Sequence, residues 1–172
     1  MVDWTTHLGL GWLLSKTQKL EKTPFLIGCV LPDLVRWPGY PLQLIINARL
    51  IDALLKPSHT ILGALLLSIA ASIVFTNYSP RTTLALFAGS VLHLSLDTLM
   101  KARIGYGVYL LWPLSWNTYA LDLSSMGDPI PPIISIALCC LVLVYERMHA
   151  QSRTNFKEQP FVMTTQNKSK RG

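Results

Sequence analysis

Two ionisable side chains interrupt the otherwise apolar segment 84–100. His93 and Asp97 are four residues apart, so an α-helix places them on one face, one turn from each other. His59 stands at the start of the preceding apolar segment, residues 61–78. Antiparallel packing of two neighbouring helices would bring the start of one beside the end of the other. We therefore expect His59, His93 and Asp97 to converge at one end of a helix pair.

Imidazole and carboxylate groups in this arrangement indicate a metal site. They are the usual non-sulfur ligands of zinc and also suit manganese, and a carboxylate-rich site keeps magnesium as a further alternative. Ionisable residues within membrane segments are costly and usually functional. The other interpretation is a buried His–Asp hydrogen bond that joins two helices. Because His59 is predicted at the same depth, we favour the metal.

Three further residues have less specific sequence patterns. Asp33 follows Leu-Pro in GCVLPDL, where an aspartate is commonly a turn residue or a helix cap. His7 is a lone histidine in an N-terminal apolar segment, and such a histidine is more often structural. His149 has no partner motif, so we interpret it as a solvated side chain. None of the three indicates a metal site on its own.

The composition is typical of a membrane protein. Only 14% of the residues are charged, whereas soluble domains carry about 25%. Segments 61–78 and 84–100 are long enough to cross a bilayer, and segment 130–145 is slightly short. We expect an all-α integral membrane helical bundle with three to four membrane-inserted helices in the inner or plasma membrane.

Basic residues are concentrated at the C-terminus. The last 26 residues contain Arg147, Arg153, Lys157, Lys168, Lys170 and Arg171. Beside an apolar segment, this bias predicts a cytoplasmic C-terminus, with the metal site at the opposite membrane face. Without an aromatic-rich basic groove, nucleic acid is not an expected partner. We expect a membrane-embedded metal-site domain over residues 1–149 and a polar, basic, disordered tail over residues 150–172.

Four sequence pieces contain the candidate residues in order. They are HLGLGWLLS with His7, GCVLPDL with Asp33, PSHTILGALLLS with His59, and HLSLDTLMKARIGYGVYLLWPLSW with His93 and Asp97. Together they resemble the YdjM-like family of membrane-bound metal-dependent hydrolases, whose ligand order is similar to that of zinc-dependent phospholipase C enzymes. The resemblance implies that Asp33, His59, His93 and Asp97 bind one metal. It also implies that His7 helps to hold a second metal.

The chain departs from these relatives at two places. Many family members have an HRxxTHS motif before the second span, but Leu54 and Leu55 occupy the His and Arg positions here. The phospholipase-type enzymes also have downstream His and Glu ligands, whereas this chain offers only Glu146 and His149, in a different place. The resemblance therefore implies one or two metals rather than a trinuclear cluster.

The expected function is that of a membrane-bound metal-dependent hydrolase, a phosphoesterase acting on lipid or another substrate at the membrane surface. The sequence has no GxSxG elbow, so metal-activated water is the expected nucleophile. Asp33 or Asp97 would accept its proton, and the aromatic segment 106–116 would seat the substrate. The alternative is a non-enzymatic membrane protein in which a structural metal or a His–Asp network joins the helices. A transporter ranks last, because no inverted repeat is present.

Overall fold

The computed structural model describes residues 3–42, 44–47, 50–51, 55–76, 78–99, 108–125 and 127–157. Helices form the regular structure of these ranges, and Val108 and Tyr119 add an isolated antiparallel bridge. The helices are α1 (Trp4–Ser15), α2 (Lys22–Gly28), α3 (Leu31–Arg36), α4 (Gly39–Leu42), a 3₁₀ turn (Lys56–His59), α5 (Ile61–Thr76), α6 (Pro80–Asp97) and α7 (Ile130–Lys157). The predicted all-α class is confirmed.

The chain divides into two compact units, Met1–Cys139 and Cys140–Gly172. The first unit contains every candidate metal ligand. The second contains the rest of α7, which is helical to Lys157. Residues 150–157, expected in the disordered tail, are therefore helical. The predictions for Leu54, for residues 100–107 and for residues 158–172 lie outside the described residues.

One helix of the described ranges is both long and apolar enough to cross a bilayer. It is the part of α7 from Ile130 to Gln151. The apolar helix α5 has 16 residues, slightly fewer than the roughly 17–25 of a membrane span. Helix α6 has 18 residues, but its buried His93 and Asp97 lower its hydropathy. By length and composition together, one span is supported, and the expected bundle of three to four membrane-inserted helices is not confirmed.

Helix α6 has a buried stripe of mostly small and polar residues. The stripe consists of Thr82, Ala85, Leu86, Gly89, Ser90, His93, Leu94, Leu96 and Asp97. Most of these positions are three or four residues apart, which is the spacing of one helix face. Ser79 caps the helix by accepting a hydrogen bond from the Thr82 amide, and Pro80 occupies the first turn. The helix period thus directs His93 and Asp97 inward.

Two glycines allow α2 and α6 to approach at backbone distance. A Cβ atom at Gly28 would overlap the carbonyl oxygen of Leu86, and a Cβ atom at Gly89 would overlap that of Phe25. Any larger residue would push the two helices apart. The contact therefore fixes the end of α2 against the middle of α6.

Helices α5 and α6 form an antiparallel pair joined by a short turn. Tyr78 in this turn has a left-handed φ of 63°. The Ser79 amide donates to Ser72 Oγ at 3.1 Å, and Ser72 Oγ donates to the Ser79 carbonyl at 3.2 Å. Since the connection is short, the start of α5 lies beside the end of α6, as the sequence predicts.

The 3₁₀ turn before α5 presents His59. Thr60 Oγ1 accepts a hydrogen bond from the Gly63 amide at 2.9 Å and donates to the Pro57 carbonyl at 2.8 Å. A Cβ atom at Gly63 would overlap that same carbonyl oxygen. The turn therefore folds back on the first turn of α5, and this contact sets the position of His59.

We predict that Gly89→Ala lowers the free energy of unfolding by about 1–3 kcal/mol, because the added methyl group forces α2 away from α6. Thermal unfolding in detergent would measure the loss. Ser95→Ala, at an exposed position of α6, is the matched control and should stay within about 0.5 kcal/mol of wild type. A wild-type melting temperature for Gly89→Ala would contradict the close backbone contact.

Candidate metal centre

Five ionisable side chains from four elements lie together in the first unit. His7 comes from α1, Asp33 from α3, His59 from the 3₁₀ turn, and His93 and Asp97 from α6. Their exposed fractions range from 0 to 7%. The fold therefore shields the cluster from solvent. Its members must offset one another's charges and provide one another's hydrogen-bond partners.

The carboxylate oxygens lie between the histidine nitrogens. His59 Nε2 is 3.0 Å from Asp33 Oδ1 and 3.9 Å from Asp97 Oδ2. His93 Nε2 is 3.7 Å from Asp33 Oδ1 and 3.4 Å from Asp97 Oδ2. His7 Nε2 is 3.5 Å from Asp97 Oδ1. Each carboxylate thus lies close to at least two histidines, so the donor atoms surround a common centre.

The outer nitrogen of His59 is fixed by a hydroxyl group. Ser58 Oγ lies 2.9 Å from His59 Nδ1 and donates its own proton to the Leu55 carbonyl at 2.7 Å. Because a hydroxyl has one proton, Nδ1 must donate in the first of these hydrogen bonds. The inner nitrogen, Nε2, then faces Asp33 Oδ1 at hydrogen-bonding distance, and a ring protonated only at Nδ1 would offer its Nε2 lone pair to a cation at that place.

The outer nitrogen of His93 is fixed by a backbone carbonyl. Its Nδ1 lies 2.8 Å from the carbonyl oxygen of Cys29, which can only accept, so Nδ1 carries the proton. Its buried Nε2 makes no hydrogen bond to any described residue. A histidine that donates Nδ1–H to a carbonyl and leaves Nε2 bare has the arrangement of a metal ligand.

The ring of His7 is held in the cluster by stacking rather than by a hydrogen bond to a described residue. Its ring stacks on that of His93, with 4.0 Å between the centroids and 19° between the planes. The ring is fully buried, and neither nitrogen has a hydrogen-bond partner among the described residues. An unsatisfied buried polar group costs about 1–3 kcal/mol. A cation bound at the centre would give this ring a partner.

The charges of the cluster favour a divalent cation. Asp33 and Asp97 bring two negative charges into a buried place, which is costly unless those charges are offset. Protonation of all three histidines would place two positive charges on the stacked rings of His7 and His93. A divalent cation instead neutralises both carboxylates and uses the nitrogen lone pairs.

Two overlapping groups of three have their donor atoms within 4.8 Å of one another. One group is His7, Asp33 and His93, and the other is His59, His93 and Asp97. The buried group is therefore positioned to bind a metal ion.

The sequence matches the YdjM inner membrane protein family over residues 2–165. The chain belongs to this family. The resemblance seen in the sequence is thus confirmed. No match was found among the curated proteins or among the solved structures. Membership of the YdjM family and the apolar part of α7 together identify a membrane protein.

The structure of this YdjM family member brings all five predicted residues together. His59, His93 and Asp97 meet as antiparallel packing predicts. His7 and Asp33, whose local patterns favour structural roles, also lie in the cluster. Asp33 is in the first turn of α3, whose cap makes no side-chain hydrogen bond, so its carboxylate is not used as a cap. His149 lies outside these two groups and packs against Tyr145 on α7.

The sequence does not reveal which groups hold the ligands from outside. Trp4 Nε1 donates to Asp33 Oδ2 at 3.1 Å, Ser58 accepts from His59, and the Cys29 carbonyl accepts from His93. Trp4 lies three residues before His7, which places both on one helix face and is the signal that could have identified it. A backbone carbonyl that accepts such a hydrogen bond cannot be recognised from the residue type.

We predict that purified wild-type protein contains a divalent metal and that His93→Ala loses it, because His93 belongs to both groups of donors. Elemental analysis of detergent-purified protein would measure the metal-to-protein ratio. His149→Ala, a histidine outside both groups, should retain the wild-type ratio. Equal metal content in the two variants would exclude His93 as a ligand.

Proposed function

We propose that this protein is a membrane-bound metal-dependent hydrolase that cleaves a phosphate ester of a lipid, or of another substrate, at the membrane surface. One observation carries the proposal. His59 and His93 each have their outer nitrogen occupied as a donor, and their inner nitrogens face two buried carboxylates, where a cation would use the lone pairs of neutral rings. This donor set fits a divalent cation.

The residues divide into ligands of one cation and a candidate ligand of a second. Asp33, His59, His93 and Asp97 would hold the first. His7 forms its own group with Asp33 and His93 and would help to hold the second. The bare nitrogens of His7 and His93 support this assignment. Imidazole with carboxylate suits zinc first, and manganese or magnesium as alternatives.

The chemistry that a divalent cation supplies in such a site is activation of water and polarisation of a phosphoryl oxygen. Asp33 or Asp97 would take the proton from the attacking water. In the reaction the water oxygen bonds to phosphorus, the phosphorus–oxygen ester bond breaks, and the proton passes to the leaving alkoxide. The carboxylate therefore acts first as a base and then returns the proton as an acid.

The more exposed edge of the cluster indicates where a substrate would approach. The side chains of His59 and Asp97 are 9% and 5% exposed, whereas those of His7 and His93 are fully buried. Water and substrate would therefore enter beside the 3₁₀ turn and the end of α6.

The segment of residues 108–125, which contains the described part of the aromatic segment 106–116, lies against this edge. The Ile61 amide at the start of α5 donates to the Leu110 carbonyl at 3.1 Å, and the Leu121 amide donates to the Thr98 carbonyl, which follows α6, at 2.6 Å. The segment therefore contacts both helices next to the ligands that they present.

The side chains of this segment suit an anionic amphiphile. The rings of Trp112 and Trp116 are in edge contact with 6.3 Å between centroids, and Trp116 is 72% exposed. Lys56 Nζ lies 5.5 Å from the Tyr109 ring centroid. Tryptophan and tyrosine settle at the level of lipid headgroups, and an ammonium group attracts a phosphate. These features support a lipid phosphoester as the substrate.

The packing of α5 and its neighbours supports more than one membrane crossing. Its buried residues are small and polar, and its exposed residues are large and apolar, which is the pattern of a helix packed in lipid. The buried set includes Ser68 and Ser72, and the exposed set includes Leu66, Val74 and Phe75. We extend the proposal to a multi-pass protein with a cytoplasmic C-terminus and the metal site at the opposite face.

A structural metal is the second candidate function, and the deep burial of the ligands favours it. Closed structural sites fill every coordination position with protein atoms, whereas catalytic sites keep one position open. Five candidate ligands with exposed fractions of 0 to 7% are enough to close a tetrahedral site. In that case the metal would stabilise the fold without any turnover.

We predict that the C-terminus faces the cytoplasm, because basic residues follow the apolar part of α7. A reporter that is active only in the cytoplasm should be active when it is fused after Gly172. A reporter that is active only outside the cytoplasm should be silent when it is fused at the same position. The reverse result would contradict the orientation.

We predict that the purified protein hydrolyses a phosphate ester in a lipid-like substrate and that a chelator abolishes the activity. His59→Ala and Asp97→Ala should each lower the rate by orders of magnitude, because each removes a ligand. A panel of lipid phosphoesters, measured by product release, would test both statements.

His149→Ala is the control for this panel and should keep the wild-type rate. Bound metal without turnover on phosphoesters, nucleotides and amides would reject the hydrolase and favour the structural metal.

A further inference from the structure

We propose that Trp4 is a positioning residue for the metal, because its indole holds Asp33 so that only one carboxylate oxygen faces the centre. The inference rests on the metal site described under the proposed function. It adds a residue that neither the family match nor the sequence pattern assigns to the site.

The two oxygens of Asp33 have separate partners. Oδ2 accepts a hydrogen bond from Trp4 Nε1 at 3.1 Å. Oδ1 lies 3.0 Å from His59 Nε2 and 3.7 Å from His93 Nε2. An indole nitrogen is a donor only, so Trp4 cannot bind the cation itself. The contact therefore directs Oδ2 away from the ligands and leaves Oδ1 to bind with one oxygen.

This hydrogen bond also joins two elements that each supply a ligand. Trp4 is the first residue of α1, one turn before His7, and Asp33 lies in the six-residue helix α3. Short helices carry little stability of their own, so α3 depends on such contacts for its orientation. Trp4 thus orients Asp33 relative to the histidine that stacks on the other side of the cluster.

The exposure of Trp4 makes its role measurable. The side chain is 39% exposed, so its ring contributes less to packing than a core aromatic would. Trp4→Phe keeps most of the ring and removes the N–H group. Trp12→Phe makes the same change on α1 at a ring that contacts Lys16 rather than the cluster, and it is the matched control.

The experiment measures metal affinity rather than activity. Zn²⁺ affinity would be determined by competition with a chelator for wild type, Trp4→Phe and Trp12→Phe in detergent. Loss of an outer-shell partner typically weakens metal binding about 10–100-fold, and we expect this loss for Trp4→Phe alone. The visible absorption of bound Co²⁺ should also change in Trp4→Phe, because the freed Oδ2 can enter the coordination sphere.

A double-mutant cycle separates positioning from a general effect on folding. In an Asp33→Ala background, Trp4→Phe should cause little further loss of affinity, because the side chain that it orients is gone. An equal loss in both backgrounds would show that Trp4 acts through packing and would overturn the inference. Unchanged affinity in Trp4→Phe would overturn it as well.

Failure of this inference can be told apart from failure of the proposed function. Wild-type protein that binds neither Zn²⁺ nor Co²⁺ would reject the metal site and the role of Trp4 with it. Wild-type protein that binds both ions, with Trp4→Phe indistinguishable from it, would reject the role of Trp4 alone and leave the metal site intact.

Discussion

The burial of two carboxylates is the constraint on which the rest of the site depends. Asp33 and Asp97 are 1% and 6% exposed, and a buried carboxylate requires both an offsetting charge and partners for its oxygens. The two residues come from different helices, so one helix cannot supply these partners. Each surrounding element contributes instead: α1 gives an indole and an imidazole, the 3₁₀ turn gives His59, and α6 gives His93. The need to satisfy two anions thus explains why distant parts of the chain meet here.

The same constraint explains the glycines of the first unit. His93 can direct a bare Nε2 at the carboxylates only while its Nδ1 donates to the Cys29 carbonyl. That carbonyl follows the end of α2, and it lies within hydrogen-bonding distance because Gly28 and Gly89 allow the two helices to approach at backbone distance. Two glycines that supply no ligand therefore help to set the tautomer of one member of the cluster.

Local sequence periodicity predicts part of this arrangement. The spacing of His93 and Asp97, and the position of His59 before α5, are properties of single helices and of a short turn. The local sequence does not predict that Asp33 belongs to the site, because Leu-Pro-Asp equally suits a helix cap. Only the packing of α3 against the 3₁₀ turn places its carboxylate in the cluster. His7 likewise becomes part of the site only through tertiary contacts of α1. For both residues, the resemblance to a family implies a metal-binding role that the residue pattern alone does not indicate.

Helix boundaries are harder to predict than the helices themselves. Hydropathy marks apolar segments, but α5 begins only where Thr60 caps it, and α7 continues into polar residues up to Lys157. Lysine, arginine and glutamine are good helix formers, so a change from apolar to basic composition does not end a helix. The expectation of a disordered tail over residues 150–172 rests on composition, and residues 150–157 of it are helical.

The length of the α5–α6 pair bears on where the site lies relative to lipid. At 1.5 Å per residue, the 16 residues of α5 cover about 24 Å, somewhat less than the roughly 30 Å of a hydrocarbon core. His59 precedes the first residue of α5, and Asp97 is the last residue of α6. If the pair is embedded in the bilayer, all of the ligands therefore lie at one boundary of the hydrocarbon, where charged groups cost less than at its centre. A buried cluster at that depth is shielded by protein and yet lies beside lipid headgroups, which is the position that a phosphoesterase acting on lipid requires.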